Sequence, residues 1–162
     1  MRKIAFVICL LSLILGGCVT VETAKTNWTD PRASVISGVK VKLESCRRAG
    51  NEVQCFFSVT SIGQDRKIEF FGHASKDSNM IDDKGNQYKP TYNRIGSSKR
   101  TSGYSVRHDL VADVATEAEQ RFSNIHSQAT KISRLSVDLY VSGKDVKRGD
   151  GIATFRDVKL AP

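Results

Sequence analysis

The chain has 162 residues, 40% of them hydrophobic and 26% charged, with a formal net charge of +8 at pH 7. That length suits a single domain with a proper core, needing neither metal clusters nor a dense disulfide framework. Lysine and arginine are scattered along strand-like alternations rather than clustered with aromatics, which argues against nucleic acid as a partner.

The first element in chain order is an export signal. Met1-Arg2-Lys3 is a short basic start, Ile4 to Leu15 is apolar except for Ser12, and Gly16, Gly17 and Cys18 follow. A basic start, an apolar middle and small residues before a cleavage point describe a secretory signal peptide. The apolar run is shorter than the roughly 20 residues that span a bilayer. The quartet Leu15-Gly16-Gly17-Cys18 resembles the lipobox of bacterial lipoproteins. That resemblance implies cleavage before Cys18 and acylation of its thiol. Buried acyl chains, at about 0.8 kcal/mol per CH₂, would then hold the protein on a membrane. Residues 1–17 are therefore expected to be removed, and residues 18–34 to form a lipidated tether. Val19 rather than Asp follows the cysteine, so the resemblance implies the outer membrane of a Gram-negative cell, facing the periplasm. Loss of residues 1–17 from 162 would leave 145, and loss of Arg2 and Lys3 would lower the charge from +8 to +6. Cys9 falls in the discarded segment, and Trp28, the tether's one large apolar residue, is expected to pack on the domain edge.

Residues 35–162 read as short strands separated by turn signals, the pattern of an all-β sandwich. Val35 to Arg47 alternates at Val39, Val41 and Leu43, and Val53 to Ile62 carries Val53, Cys55, Phe57 and Val59 on one face. Lys67 to Ala74 follows, then a hairpin from Asn79 to Tyr88 around Asp83-Lys84-Gly85-Asn86. Arg94 to Gly103 is polar, glycine-rich and basic and reads as a loop. Ser105 to Val114, Glu117 to Ile125, Lys131 to Val141 and Gly151 to Leu160 complete the strands. Ala115 to Arg121 has helix-forming composition, and Thr116 with Glu119 fits a capping box. It lacks an apolar stripe at i, i+3, i+4 and sits between two strand patterns, so a strand is the preferred reading.

Cys46 and Cys55 are the remaining cysteines, and export would place them where a pair oxidises. Gly50-Asn51 lies midway and suits a two-residue type II′ turn. That turn sets Ala49 opposite Glu52 and Cys46 opposite Cys55 in a non-hydrogen-bonded pair, where side chains approach closely. The same register sets Leu43 opposite Ser58, which puts one apolar stripe out of phase; a bulge near Ser45 or a longer turn would repair it.

Residues able to do chemistry are few. His73, His108 and His126 stand in no metal-binding spacing, and adjacent His108 and Asp109 would point to opposite faces of a strand. There is no Gly-x-Ser-x-Gly elbow and no phosphate-cradling glycine loop. Asp82-Asp83-Lys84-Gly85-Asn86 lacks the spaced oxygen ligands of a calcium loop and reads as a hairpin turn. No metal, cofactor or catalytic set is therefore expected, apart from the covalent lipid on Cys18.

Three segments carry a family resemblance: Cys46 with Cys55-Phe56-Phe57-Ser58-Val59-Thr60-Ser61, Met80 to Tyr88, and Ile152 to Val158. Together they resemble bacterial immunoglobulin-like lipoprotein domains of unknown function, with Ser61 and Asp157 where such domains carry asparagine. The resemblance implies an immunoglobulin-like antiparallel β-sandwich of about seven to nine strands, exported, with no catalytic residues. The expected role is a non-enzymatic adaptor that contacts another envelope protein, or a module for an acidic ligand such as lipopolysaccharide or glycan. Arg94, Lys99, Arg100 and Arg107 are the candidate binding residues. They are four basic residues with no acid among them, in a segment expected to be a loop on a rigid sandwich.

Overall fold

A computed structural model of the chain describes residues 30–72, 77–101, 105–143 and 149–161; the export signal, Cys18, Trp28 and His73 lie outside them. The strands are β1 Ala33–Ile36, β2 Val39–Ala49, β3 Glu52–Ser61, β4 Arg66–Phe70, β5 Asn79–Asp82 and β6 Gln87–Tyr88. They continue as β7 Pro90–Ile95, β8 Ser98–Thr101, β9 Val106–Leu110, β10 Ala115–Phe122, β11 Lys131–Ser142 and β12 Gly149–Ala161. The all-β sandwich expected from the sequence forms, with twelve strands among the described residues rather than seven to nine.

One layer runs β1-β2-β3-β10-β7-β8, all antiparallel. In the other, β11 has β12 along one edge, with β4 and β5 end to end along the opposite edge. Beyond these lie β9, paired to β4, and β6, paired to β5. The layers are joined by β12, whose Leu160 and Ala161 run parallel to Cys46 and Arg47 of β2. One hydrogen-bonded sheet thus curls on itself. Its core follows the period-2 alternation: β3 buries Val53, Cys55, Phe57 and Val59, and β11 buries Leu135, Val137, Leu139 and Val141. Phe57 of the first layer meets Phe70 and Phe155 of the second, each at 6.0 Å between ring centroids. Each such side chain contributes roughly 1.5–3 kcal/mol on burial.

The β2–β3 hairpin has the register its turn dictates. Gly50 has φ +62, Ala49 faces Glu52, and Cys46 is disulfide-bonded to Cys55 with 4.1 Å between Cα atoms. The register slips between Leu43 and Ser45, so Leu43 faces Phe57 and both point inward. The extra residue is Glu44, and its bulge brings the two apolar stripes into phase.

Several boundaries differ from the sequence reading: β9 ends at Leu110 rather than Val114, β10 runs Ala115–Phe122 rather than Glu117 to Ile125, and the first strand is split. Val35 to Arg47 is not one strand: Ser37 and Gly38 have φ +48 and +78, and Ile36 pairs with Val39 across them. Positive φ at both central residues makes a type I′ turn, so the chain doubles back, and among the described residues the sheet begins at Ala33, inside the expected tether. Gly38 also admits the Arg66 guanidinium, which would lie 2.4 Å from a Cβ there. Arg66 uses that position to donate to Ser61 Oγ and the carbonyls of Ile62 and Gln64. The helix-like segment Ala115 to Arg121 is a strand, as preferred. It pairs with β3 on one side and β7 on the other, and two full ladders outweigh a local helical preference of a few tenths of a kcal/mol per residue.

Candidate functional site

The segment from Arg94 to Thr101, expected to lie in a loop, belongs to a hairpin. Gly96 and Ser97 form its two-residue turn, Ile95 pairs with Ser98, and Arg94 with Lys99. Gly96 has φ +53, the conformation a first turn position needs for the same II′ geometry as Gly50. Polar composition hid the strand because β8 is an edge strand with little to bury. The hairpin is pinned to β9 by His108, whose ring lies against Gly96, 2.6 Å from where a Cβ would stand. Ser98 Oγ meets His108 Nδ1 at 3.3 Å. Among the described residues no carboxylate takes the other ring nitrogen, and Asp109 is exposed on the opposite side of the strand. Among the described residues the serine–imidazole contact has no third group that would orient a base, and it links the two layers.

Two adjoining depressions open along this seam. One, of about 540 Å³, is lined by Ser98, Lys99, Arg100, Ser105, Val106 and Arg107. Those residues supply three cations, two hydroxyls and no carboxylate. The second, of about 600 Å³, shares Ser98 and Arg107 and continues over Lys67, Glu69 and Tyr140 on the outer face of the second layer. Arg107 reaches Glu69 at 2.9 Å while its side chain stays 81% exposed. Burial pushes the Glu69 carboxyl up, but the Ser105 hydroxyl and the Arg107 guanidinium outweigh it and hold the group below its ordinary value. Glu69 is thereby a fixed anion that orients Arg107, which lines both depressions, and Ser105, which lines the smaller; Glu69 itself lines only the larger. Lys67 and Asp109, 3.9 Å apart and exposed, contribute little energy to the fold.

Of the four basic residues singled out in the sequence, three come together: Lys99 and Arg100 on β8 and Arg107 on β9. Arg94 does not join them. Its guanidinium turns to β10, 3.3 Å from buried Glu119 and 3.6 Å from Glu117, and also donates to the Gly96 carbonyl. Those acids are more than twenty residues away in sequence, so a local count of charge could not see them. Ser105, Glu69 and Tyr140 were not singled out. Only the pairing of β4 between β9 and β11 brings Glu69 beside both Arg107 and Tyr140.

The acidic hairpin is structural. Asp82 Oδ1 accepts from the backbone N–H groups of Lys84 and Asn86, and Oδ2 from the Asn86 amide and the Tyr88 hydroxyl. Burial raises the Asp82 pKa, but these four donors together pull it below its usual value.

Fold and site together define an all-β sandwich with a basic groove on one seam between its layers. No family model matches the chain, and no curated protein matches it. Among solved structures, ACE19, the collagen-binding subdomain of the Enterococcus faecalis surface protein ACE, is 13% identical, over 71% of this chain and 94% of that one, with a TM-score of 0.34. A family 123 glycoside hydrolase from Clostridium perfringens is 10% identical over 70% of this chain and 22% of that one, with a TM-score of 0.33. Likeness at that level says nothing of ligand or activity.

Proposed function

We propose that this is an exported lipoprotein, held by acyl chains on Cys18 to the outer membrane and facing the periplasm. It acts as a non-enzymatic adaptor that docks an acidic envelope protein in the β8–β9 groove. The single observation behind the docking site is the lining itself: Lys99, Arg100 and Arg107 stand around one depression, and no carboxylate lines it among the described residues. Lys99 and Arg100 sit on an edge strand, where charge also prevents promiscuous strand pairing. Cations at such a rim act chiefly on association rate and on salt dependence.

The test is to replace Lys99 and Arg100 with Ser and measure capture of the partner from native envelope across ionic strength. Association at low salt is expected to fall roughly tenfold, within the range of electrostatic steering, and its salt dependence to flatten. An unchanged salt dependence in a folded variant would refute the docking site. Displacement of the captured protein by purified lipopolysaccharide would assign the groove to that acidic ligand instead. The anchor is tested separately by fractionation. Cys18→Ala is expected to leave the membrane pellet, and a variant still firmly pelleted would mean that residues 1–17 are retained.

A further inference from the structure

Both layers of the sandwich end on an unpaired strand edge at the same seam. Among the described residues β8 pairs with β7 alone and β9 with β4 alone, and no ladder joins β8 to β9. The backbone register shows which groups β8 leaves open. In an antiparallel pair the N–H and C=O of one residue point to the same side, and successive residues alternate. Gly96 N–H donates to the Glu117 carbonyl of β10 at 2.8 Å, so its neighbour Ile95 turns the other way and exchanges hydrogen bonds with Ser98. Alternation closes the next such pair between Asn93 and Arg100. Lys99 and Thr101 are left with N–H and C=O pointing away from β7.

Charge along that edge is placed on both faces. Lys99 is exposed and in register with Arg94 and Glu119 on the outer face of the first layer. Arg100, also exposed, belongs to the inward row that runs from Cys55 through Gln120 and Asn93. That row turns polar as it nears the seam. Gln120 donates to Asn93 Oδ1 at 3.0 Å, and Gln120 Oε1 is buried with no hydrogen-bond partner among the described residues. A strand laid beside β8 would therefore meet a cation on each of its faces, Lys99 outside and Arg100 inside. Opposite charges in direct cross-strand pairs stabilise a sheet and like charges destabilise it. The edge thus rejects basic strands and admits acidic ones.

We propose that the partner docks by adding an extended acidic strand to the open edge of β8. Its backbone exchanges hydrogen bonds with Lys99 and accepts from the Thr101 N–H. Carboxylates opposite Lys99 and Arg100 meet the two cations, and Arg107 borders the same depression across the seam. In this mode main-chain bonds carry the affinity and side chains the specificity. The proposal rests on the β8–β9 groove being the docking site, and it names the conformation in which the partner enters.

The experiment is titration of the full chain with a capped heptapeptide, its three central glutamates flanked on each side by two threonines, followed by amide hydrogen exchange. At saturation the Lys99 and Thr101 amides are expected to exchange roughly tenfold more slowly, while those of Ser98 and Arg100, already bonded to β7, change little. N-methylation of the three glutamates keeps the charge and removes their donors, and it is expected to weaken binding roughly tenfold or more. Lys99→Pro removes an N–H that the β7 ladder does not use. It is expected to bind about tenfold more weakly than Lys99→Ser, which removes the charge alone. The methylated peptide leaves the protein unchanged, so it decides the question even if Lys99→Pro folds poorly. Suppose Lys99→Ser with Arg100→Ser abolishes binding while N-methylation leaves it unchanged: the groove then reads charge alone, which overturns strand addition and leaves the docking site standing. If neither change weakens binding, both readings fall. Unaltered exchange at Lys99 and Thr101 in the saturated complex would likewise overturn strand addition.

Discussion

Replacing Gly96 with Ala separates the hairpin from a loop by the sign of its effect. In an ordered loop whose φ at this position an alanine can adopt, Gly→Ala restricts chiefly the unfolded chain and stabilises by about 0.4–1 kcal/mol. In the hairpin, Gly96 has φ +53, and a Cβ would lie 2.6 Å from His108 Cε1 and 2.8 Å from Nε2. The left-handed conformation alone costs an alanine about 1–2 kcal/mol. Displacing the ring adds about 0.5–1.5 kcal/mol by breaking its hydrogen bond with Ser98. The sum, about 1.5–3.5 kcal/mol, corresponds to a fall in Tm of roughly 5–15 °C for a domain of this size. Gly85→Ala is the internal control, because Gly85 has φ +84 with nothing within 4 Å of a Cβ. It should show the backbone part alone, about 1–2 kcal/mol. Thermal unfolding of the three proteins under one buffer decides the matter. A Gly96→Ala variant as stable as the parent, or no worse than Gly85→Ala, would refute the packing of His108 on the turn.

Two further outcomes follow from the packing and the charges. Replacing Cys46 and Cys55 together with Ala opens a loop of sequence separation 9; chain-entropy arithmetic gives a loss of about 2.5–3 kcal/mol, read from denaturant midpoints with and without reductant. A reductant-insensitive midpoint in the parent would count against that figure. Asp82 has a folded-state pKa below its ordinary value, so its contribution is complete above the unfolded carboxylate pKa of about 3.9 and is lost as pH falls through the lower folded value. Asp82→Asn is expected to lower stability at pH 7 by about 2 kcal/mol and to reduce the further loss on acidification below pH 4. Parallel stability–pH curves for the two proteins would contradict that account.

Much of the sandwich was legible because its signals are local. Alternation in β3 and β11 marks which residues face the core, and a two-residue glycine turn counts outward to the disulfide. The misfit of Leu43 with Ser58 called for a bulge near Ser45 or a longer turn, and a bulge at Glu44 is what forms. The same chemistry was overlooked twice. Ser37-Gly38 sits inside an unbroken alternation, and Gly96-Ser97 sits in a stretch too polar to read as a strand. At β8 the apolar pattern is absent because an edge strand has one neighbour and little core to cover.

The sequence by itself determined the period-2 pattern, the turn chemistry and the cysteine register, because each depends on residues within about ten positions of one another. Tertiary structure alone decided which charges remain available. Arg94 and Lys99 are cross-strand partners in one short hairpin, yet Glu117 and Glu119 of β10 take up the first while the second stays at the groove. Arg107 is oriented by Glu69, 38 residues away, because β4 pairs with β9. Coulombic and hydrogen-bond energies fall off over a few ångströms of space, whatever the distance along the chain. A site made of charges on neighbouring strands is therefore fixed by strand order, which no local stretch of this sequence encodes.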